Sequence, residues 1–315
     1  MGNQLWQWNY EIKGLIPEQV KLKRKVWLKK GELFLEKKGD KLHAFLLGNE
    51  GNRFDTDKII ESYLRFSCLI SNNAPVLEGR GRVGLKSKNE FGKIKEFFTI
   101  SFRFVLPDEA IKEIEDYAHK FIGFIGKLHD KYIAVVADNE FIEIALDYFY
   151  DAQKKFVYSN EGFISAVISM EALFNEGPTD IKYKLSHRAA FLLGLCGMDP
   201  IETFNKLKDF YNKRSKLVHG GGTLPHDPDK YLVSTYTRRS LMIFLILLNS
   251  KKRKEISKNK RKIELLKEID HAMLDPEMRN SLKKEINKGL KDFKLPIPRT
   301  FEGKGKHGAY RVTVW

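Results

Sequence analysis

The chain has 315 residues, 42% hydrophobic and 31% charged, with a formal net charge of +15 and an isoelectric point near 9.5. That apolar content can bury a sizeable core in one large domain or two, which sets aside a disordered or fibrous chain; two cysteines, Cys68 and Cys196, without metal-ligand spacing set aside a disulfide scaffold and a zinc knuckle. The cationic excess favours polyanions held through phosphate contacts and counterion release, with nucleic acid the natural partner and an anionic membrane surface or a merely lysine-rich composition the alternatives.

Residues 1–107 read as a β-rich N-terminal domain, because short aromatic and β-branched runs are separated by glycine and asparagine turns. The expected strands are Val26 to Glu36, Lys41 to Leu47, Ser62 to Ile70 and Phe97 to Leu106. Trp6, Trp8, Tyr10 and Trp27 are core aromatics of this domain or rings on which bases stack. The stretch Gly79-Arg-Gly-Arg-Val-Gly84, followed by Lys86 and Lys88, reads as a β-hairpin or strand bend exposing Arg80 and Arg82, or as a phosphate-binding loop. It lacks the Gly-Lys-Ser/Thr ending of a P-loop, so nucleotide hydrolysis is not indicated.

Pro107-Asp-Glu stops the last of these strands and starts a helix, with acidic residues at its positive end. From there to about residue 290 helical periods dominate, through Ile111, Ile114, Tyr117 and Phe121, then Phe141 to Tyr158, then a compact set of helices within about 140–250. The expected fold class is α+β: a β-rich domain followed by an all-α bundle over 108–290. Leu241 to Leu248, the longest apolar run, is far short of the roughly 20 residues that span a bilayer and reads as a buried helix segment. Trp6, Trp8 and scattered charges leave no signal sequence, so a cytoplasmic protein without a membrane partner is expected. Lys251 to Lys267 is a densely basic helix, either a solvated face or an RNA contact. Residues 291–315 form a basic tail whose alternating Tyr310, Val312 and Val314 predict a strand returning to the N-terminal sheet.

The segment Arg214-Ser-Lys-Leu-Val-His219, followed by Gly220, Gly221 and Gly222, carries the chemistry. From Phe204 to Val218 the apolar positions Phe204, Leu207, Tyr211 and Val218 recur with a helical period, flanked by Phe210 and Leu217, and Arg214 falls in the middle of that stripe. Burying an unpaired ion costs several kcal/mol, so a guanidinium there needs a partner or an interface. On the preceding helix Glu171 falls among Ile164, Val167 and Ile168, and either pairs with Arg214 or reaches solvent at the helix edge. His219 lies about 140° around the helix and roughly 7.5 Å along it from Arg214, so the two do not converge in a regular helix. The glycines mark the helix end, whose partial negative charge favours a protonated imidazole; a plain C-cap is the other reading of His219. Arg188 is a third candidate, with a surface arginine bridging helices as its alternative, and His187 reads as structural.

Residues 158–222 together resemble the Apea-like branch of the HEPN family. The resemblance rests on Ser169-Met-Glu-Ala-Leu-Phe174, Lys184-Leu-Ser-His-Arg-Ala-Ala-Phe-Leu-Leu-Gly194 and Phe210-Tyr-Asn-Lys-Arg-Ser-Lys-Leu-Val-His-Gly220. It implies a ribonuclease whose signature residues are Arg214 and His219, and the residue reading adds Glu171 to them as a third member of the catalytic group, the arginine's partner. Ser215, directly after the arginine, joins Tyr211 and Arg188 as supporting residues, and Lys213, Lys216, Arg80 and Arg82 are weaker RNA contacts. The implied reaction is attack of the substrate's own 2′-hydroxyl on the adjacent phosphate, leaving a 2′,3′-cyclic phosphate and a 5′-hydroxyl. His219 would exchange protons and Arg214 would hold the phosphate, with no metal ion or other cofactor required.

The implied partners are RNA, with tRNA among the candidates, and a second copy of the chain in a homodimer. The implied setting is bacterial abortive infection against phage, with the N-terminal domain sensing a phage-derived trigger or restraining the nuclease. Two alternatives stay open: a non-catalytic HEPN scaffold that binds RNA or protein, and a toxin neutralised by a separate antitoxin.

Overall fold

The computed structural model describes residues 5–13, 26–29, 33–38, 41–49, 56–70, 76–84, 108–155, 160–221, 227–294, 300–305 and 308–313. They form an α+β fold of two units. The first comprises Met1–Ser67, Asn73–His129 and Leu295–Trp315; the second comprises Cys68–Asn72 and Asp130–Lys294.

In the first unit β1 (Leu5–Lys13), β2 (Val26–Lys29), β3 (Leu33–Lys38), β4 (Lys41–Asn49) and β5 (Val76–Gly84) make a sheet of order β2-β3-β4-β1-β5. Neighbours are antiparallel throughout. The expected strand Val26 to Glu36 is thus two strands paired with one another. Lys41 to Leu47 falls in β4, whereas Phe97 to Leu106 lies outside the described residues. Ser62 to Ile70 is not a strand. It belongs to helix α1 (Thr56–Ile70), where Ile60, Tyr63, Leu64, Ser67 and Cys68 are buried at helical spacing. Its aromatic and β-branched content masked that period, a case of tertiary packing overriding local preference.

Helix α2 (Asp108–Ala137) begins right after Pro107, where the acidic start places it. Tyr63 of α1 stacks on His129 of α2 at 3.6 Å between ring centroids, and Ser62 Oγ lies 2.8 Å from the His129 Nε2. Gly126 of α2 faces β2 so closely that a Cβ there would overlap the Leu28 carbonyl. The tail departs from expectation: β6 (Thr300–Gly305) and β7 (Gly308–Thr313) pair with each other as a two-stranded sheet and do not join the larger one. A partner supplied by the adjacent strand closes a shorter loop than a return across the chain.

The second unit is built from α3 (Glu140–Lys155), α4 (Asn160–Phe174), α5 (Ile181–Leu195), α6 (Pro200–Val218), α7 (Asp227–Leu248), the short α8 (Lys251–Lys254), α9 (Lys258–Leu274) and α10 (Pro276–Leu290). Residues Leu241 to Leu248 of α7 are all buried, and α3, α4, α5 and α10 pack around that helix. By length and composition α7 could cross a membrane, yet 72% of its apolar window is buried within the fold. Helices α5 and α6 form an antiparallel hairpin turned at Pro200, which lies against Gly194. Asp199 caps α6 by accepting from the Glu202 N–H at 2.7 Å, with Pro200 in the first turn.

The basic run 251–267 is only partly a solvated face. Its lysines Lys251, Lys252, Lys254, Lys258, Lys260 and Lys267 are exposed, but Arg253 and Arg261 are buried and bonded. Burial also pushes the Lys262 amine down to about 8, against the opposing pull of Glu176, while its Nζ sits 5.2 Å from the Phe141 ring centre.

Close packing of α10 on α7 sets a sharp test. A Cβ at Gly289 would overlap the buried Ile246 side chain. Gly289→Ala is expected to lower stability by about 1–3 kcal/mol in urea unfolding, with partial recovery in the Gly289→Ala, Ile246→Ala double variant.

Candidate functional site

Helix α6 ends where the glycines place it. His219 is the C-cap residue, Gly220 takes φ 77°, the Gly220 N–H donates to Leu217 O at 3.2 Å and the Gly221 N–H to Lys216 O at 3.0 Å. This paired closure needs a left-handed residue at position 220, which glycine adopts without a Cβ penalty. The cap leaves the His219 side chain exposed.

Arg214 sits one turn and a half earlier on a different face. The residues of α6 that are buried are Thr203, Leu207 and Phe210, and at about 100° per residue Arg214 projects along the middle of that core direction. Glu171 of α4 meets it there. Arg214 Nη2 lies 3.5 Å from Glu171 Oε2 and Arg214 Nε lies 3.5 Å from Glu171 Oε1, with 23% and 18% of the two side chains exposed. The second approach is charge on charge without hydrogen-bond geometry, for both Glu171 Oε1 and Arg214 Nε are buried without a hydrogen bond. Burial pushes the Glu171 carboxyl above the usual range more strongly than the Arg214 guanidinium pulls it down.

The other expected residues divide by position. Ser215 is half-buried and its carbonyl accepts the His219 N–H at 3.2 Å; Tyr211 is half-buried on the same helix. Lys216 is exposed beside His219. The Lys213 ammonium is held at 2.6 Å by both Asp209 and Asp229, so it neutralises carboxylates within the fold. Burial pulls Lys213 down, but those two carboxylates outweigh it and hold it above its usual value. Arg80 and Arg82 stand in β5 opposite Tyr10 and Trp8 of β1, in the first unit.

Arg188 bridges helices from a buried position. Its Nε and Nη2 donate to Asp270 at 2.7 and 2.6 Å, Nη2 also donates to Glu176 at 2.9 Å, and Nη1 donates to the Phe174 carbonyl at 2.8 Å. The fork joins α5 to α9 and to the end of α4, and it does not meet Arg214 in any hydrogen bond or ion pair among the described residues.

Two features escaped the sequence reading. Asp229, the clamp on Lys213, comes from α7, and only the tertiary fold brings it there. Exposed Tyr183 and His187 and half-buried Phe204 form an aromatic group between α5 and α6: Tyr183 stacks on His187 at 5.3 Å, and Phe204 meets both edge-on at 6.1 and 6.3 Å. The four-residue spacing of Tyr183 and His187 was the available signal. Among the described residues, no group of three or more His, Cys, Asp or Glu side chains is placed to hold a metal ion. No family model, curated protein or solved structure matches the chain.

Two measurements test these assignments. Arg188→Ala is expected to cost about 3–5 kcal/mol in urea unfolding, because it strands Asp270 and Glu176 beside the core. For Glu171 the sign follows from its raised value: the folded protein binds that proton more tightly than the unfolded chain, so stability is lost as the group ionises on raising the pH. Glu171→Gln keeps the shape of the protonated carboxyl, so its stability relative to the parent should improve between about pH 4 and pH 7. A difference independent of pH would contradict the raised carboxyl.

Proposed function

We propose that the protein is an endoribonuclease of HEPN type that cuts RNA without a metal ion, using Arg214 and His219. The observation that carries the reading is the arrangement at the end of α6: an exposed imidazole on the helix cap, and about one and a half turns before it a half-buried guanidinium held loosely by Glu171.

The chemistry follows from these groups. The 2′-hydroxyl oxygen of the substrate attacks the neighbouring phosphorus and loses its proton to a base, the bond to the 5′-oxygen breaks, and that oxygen takes up a proton. A 2′,3′-cyclic phosphate and a 5′-hydroxyl result, with atoms and charge balanced. An exposed imidazole can take the first proton or give the second. A planar guanidinium suits the non-bridging phosphate oxygens, where charge grows as the phosphorane forms. Glu171 positions that fork from the α4 side.

Arg214 and His219 project about 140° apart on α6. This separation supports a site completed by a second copy, in which the histidines of two α6 ends approach one phosphate. The resemblance extends the proposal to bacterial abortive infection, with tRNA among the candidate substrates and the first unit as sensor or restraint.

The test is incubation of the purified protein with total RNA in EDTA, followed by analysis of fragment ends. Cleavage to cyclic phosphate and 5′-hydroxyl ends is expected, falling about 10²–10⁴-fold in His219→Ala and about 10²–10³-fold in Arg214→Ala. Cleavage abolished by EDTA, or unchanged in both variants, would overturn the proposal.

A further inference from the structure

Helix α6 carries a second apolar row that the core does not use. Phe204, Lys208, Tyr211, Ser215 and His219 recur every three or four residues, so they lie along one face, roughly 22 Å long from Phe204 to the histidine. None of the five is buried. At the far end from His219 this row meets the aromatic group of α5. Tyr183 is 56% exposed and stacks on His187 with an angle of 17° between the ring planes, while Ile201, 72% exposed, extends the apolar surface. The Lys208 ammonium stands 5.2 Å from the Phe204 ring centre.

Charge separates the possible occupants. The carboxylates of α6, Glu202 and Asp209, project about 140–160° away from Phe204, and Asp209 is tied to Lys213. The row itself bears Lys208 and His219, with Lys216 exposed beside its end and Lys182 reaching Asn212 at 3.5 Å from α5. The α6 row alternates flat rings with cations and carries no carboxylate, which suits a chain that alternates bases with phosphates; on the α5 side the exposed Asp180 stands at the helix start, one turn from Tyr183. Along the Tyr183 to Lys208 half, away from the α6 end where two copies would meet, a second copy would set cation against cation.

We infer that this face of the α5–α6 hairpin is a track for unpaired RNA, with a base stacked on Tyr183 and the backbone led along Lys208 towards His219. The inference rests on the endoribonuclease reading and adds a substrate class to it: RNA that is single-stranded several nucleotides from the cut, since a paired base has no free face to offer the ring. Tyr183, His187 and Phe204 are binding residues in this arrangement and take no part in proton transfer.

Binding to RNA that cannot be cut tests the track apart from catalysis. The probe is a fluorescein-labelled twelve-nucleotide 2′-O-methyl RNA of mixed sequence, which lacks the attacking hydroxyl, titrated with the full chain as single strand and again annealed to its complement. The single strand should bind more tightly than the duplex, and Tyr183→Ala should weaken it about tenfold. His187→Ala should weaken it less, with duplex binding unchanged in both variants. Tyr183 is exposed, so its variant should melt with the parent. Equal affinity of parent and Tyr183→Ala for the single strand would overturn the track even if cleavage is observed. So would a concentration-dependent dimer that Tyr183→Ala dissociates while RNA affinity stays unchanged, which would give the face to a second copy. Absence of cleavage with the expected binding pattern would overturn the nuclease reading and leave the track standing.

Discussion

A guanidinium taken out of water must find acceptors in the fold, and the helical unit satisfies that demand three times at its centre. Arg188 ties α5 to Asp270 of α9 and to the carbonyl that ends α4. Arg253 donates to Glu268 of α9, Glu285 of α10 and the Leu247 carbonyl of α7. Arg261 reaches back to the carbonyls of Lys254 and Ile256 and, at 3.4 Å, to Asp138 ahead of α3. Each planar fork fixes angles as well as distances. Together they lock α9 to the rest of the bundle, and through α4 and α7 they set the frame against which α6 lies. A chain with net charge +15 thus spends part of its cationic excess as internal cross-links, and the surface lysines carry the remainder.

Arg214 is held differently. Its one carboxylate, Glu171, approaches at 3.5 Å, and the buried Nε and Oε1 atoms face one another without a hydrogen bond. Burial outweighs the guanidinium at Glu171 and raises the carboxyl, the reverse of what a tight pair produces. Stability alone would favour either a closer pair or two apolar residues here. Departures from local optimality of this kind concentrate where a group is kept for another task. Arg188, by contrast, has its donors engaged at 2.6 to 2.9 Å, so among the described residues Arg214 is the less engaged of the two guanidiniums.

The helical half was largely legible in the sequence because its signals are local. Pro107 with two acids started α2, glycine at 220 closed α6, and the intrusion of Glu171 and Arg214 on apolar faces named both members of their pair. What could not be read depended on packing. Helix α1 passed for a strand because residues 66–70 are all buried, the polar Ser67 included, so the sequence there shows no solvent face with a helical period. The tail alternated as a strand does, but its partner β6 has no pattern that distinguishes it from another edge. Arg188 stood on a stripe much as Arg214 does, and only the positions of Glu176 and Asp270 separate a cross-link from a candidate site.

The apolar stripe on α6 illustrates the same limit from the other side. Phe204, Leu207, Tyr211 and Val218 look like one face in the sequence, yet the buried residues are Thr203, Leu207 and Phe210, while Val218 is 52% exposed. The stripe is two rows about 90° apart, one facing the core with Arg214 in line, the other facing outward and ending at His219. The rings of the second row, Phe204 and Tyr211, are only half-buried, so that row contributes less to the core than the first. Arg214 on the inward row and His219 at the end of the outward one stand about 140° apart on the helix, and Gly220 closes the last turn at φ 77°. The cap is therefore more than a stop signal: by ending α6 at His219 it leaves that imidazole exposed at the helix end, while Arg214 stays with Glu171 on the inward side.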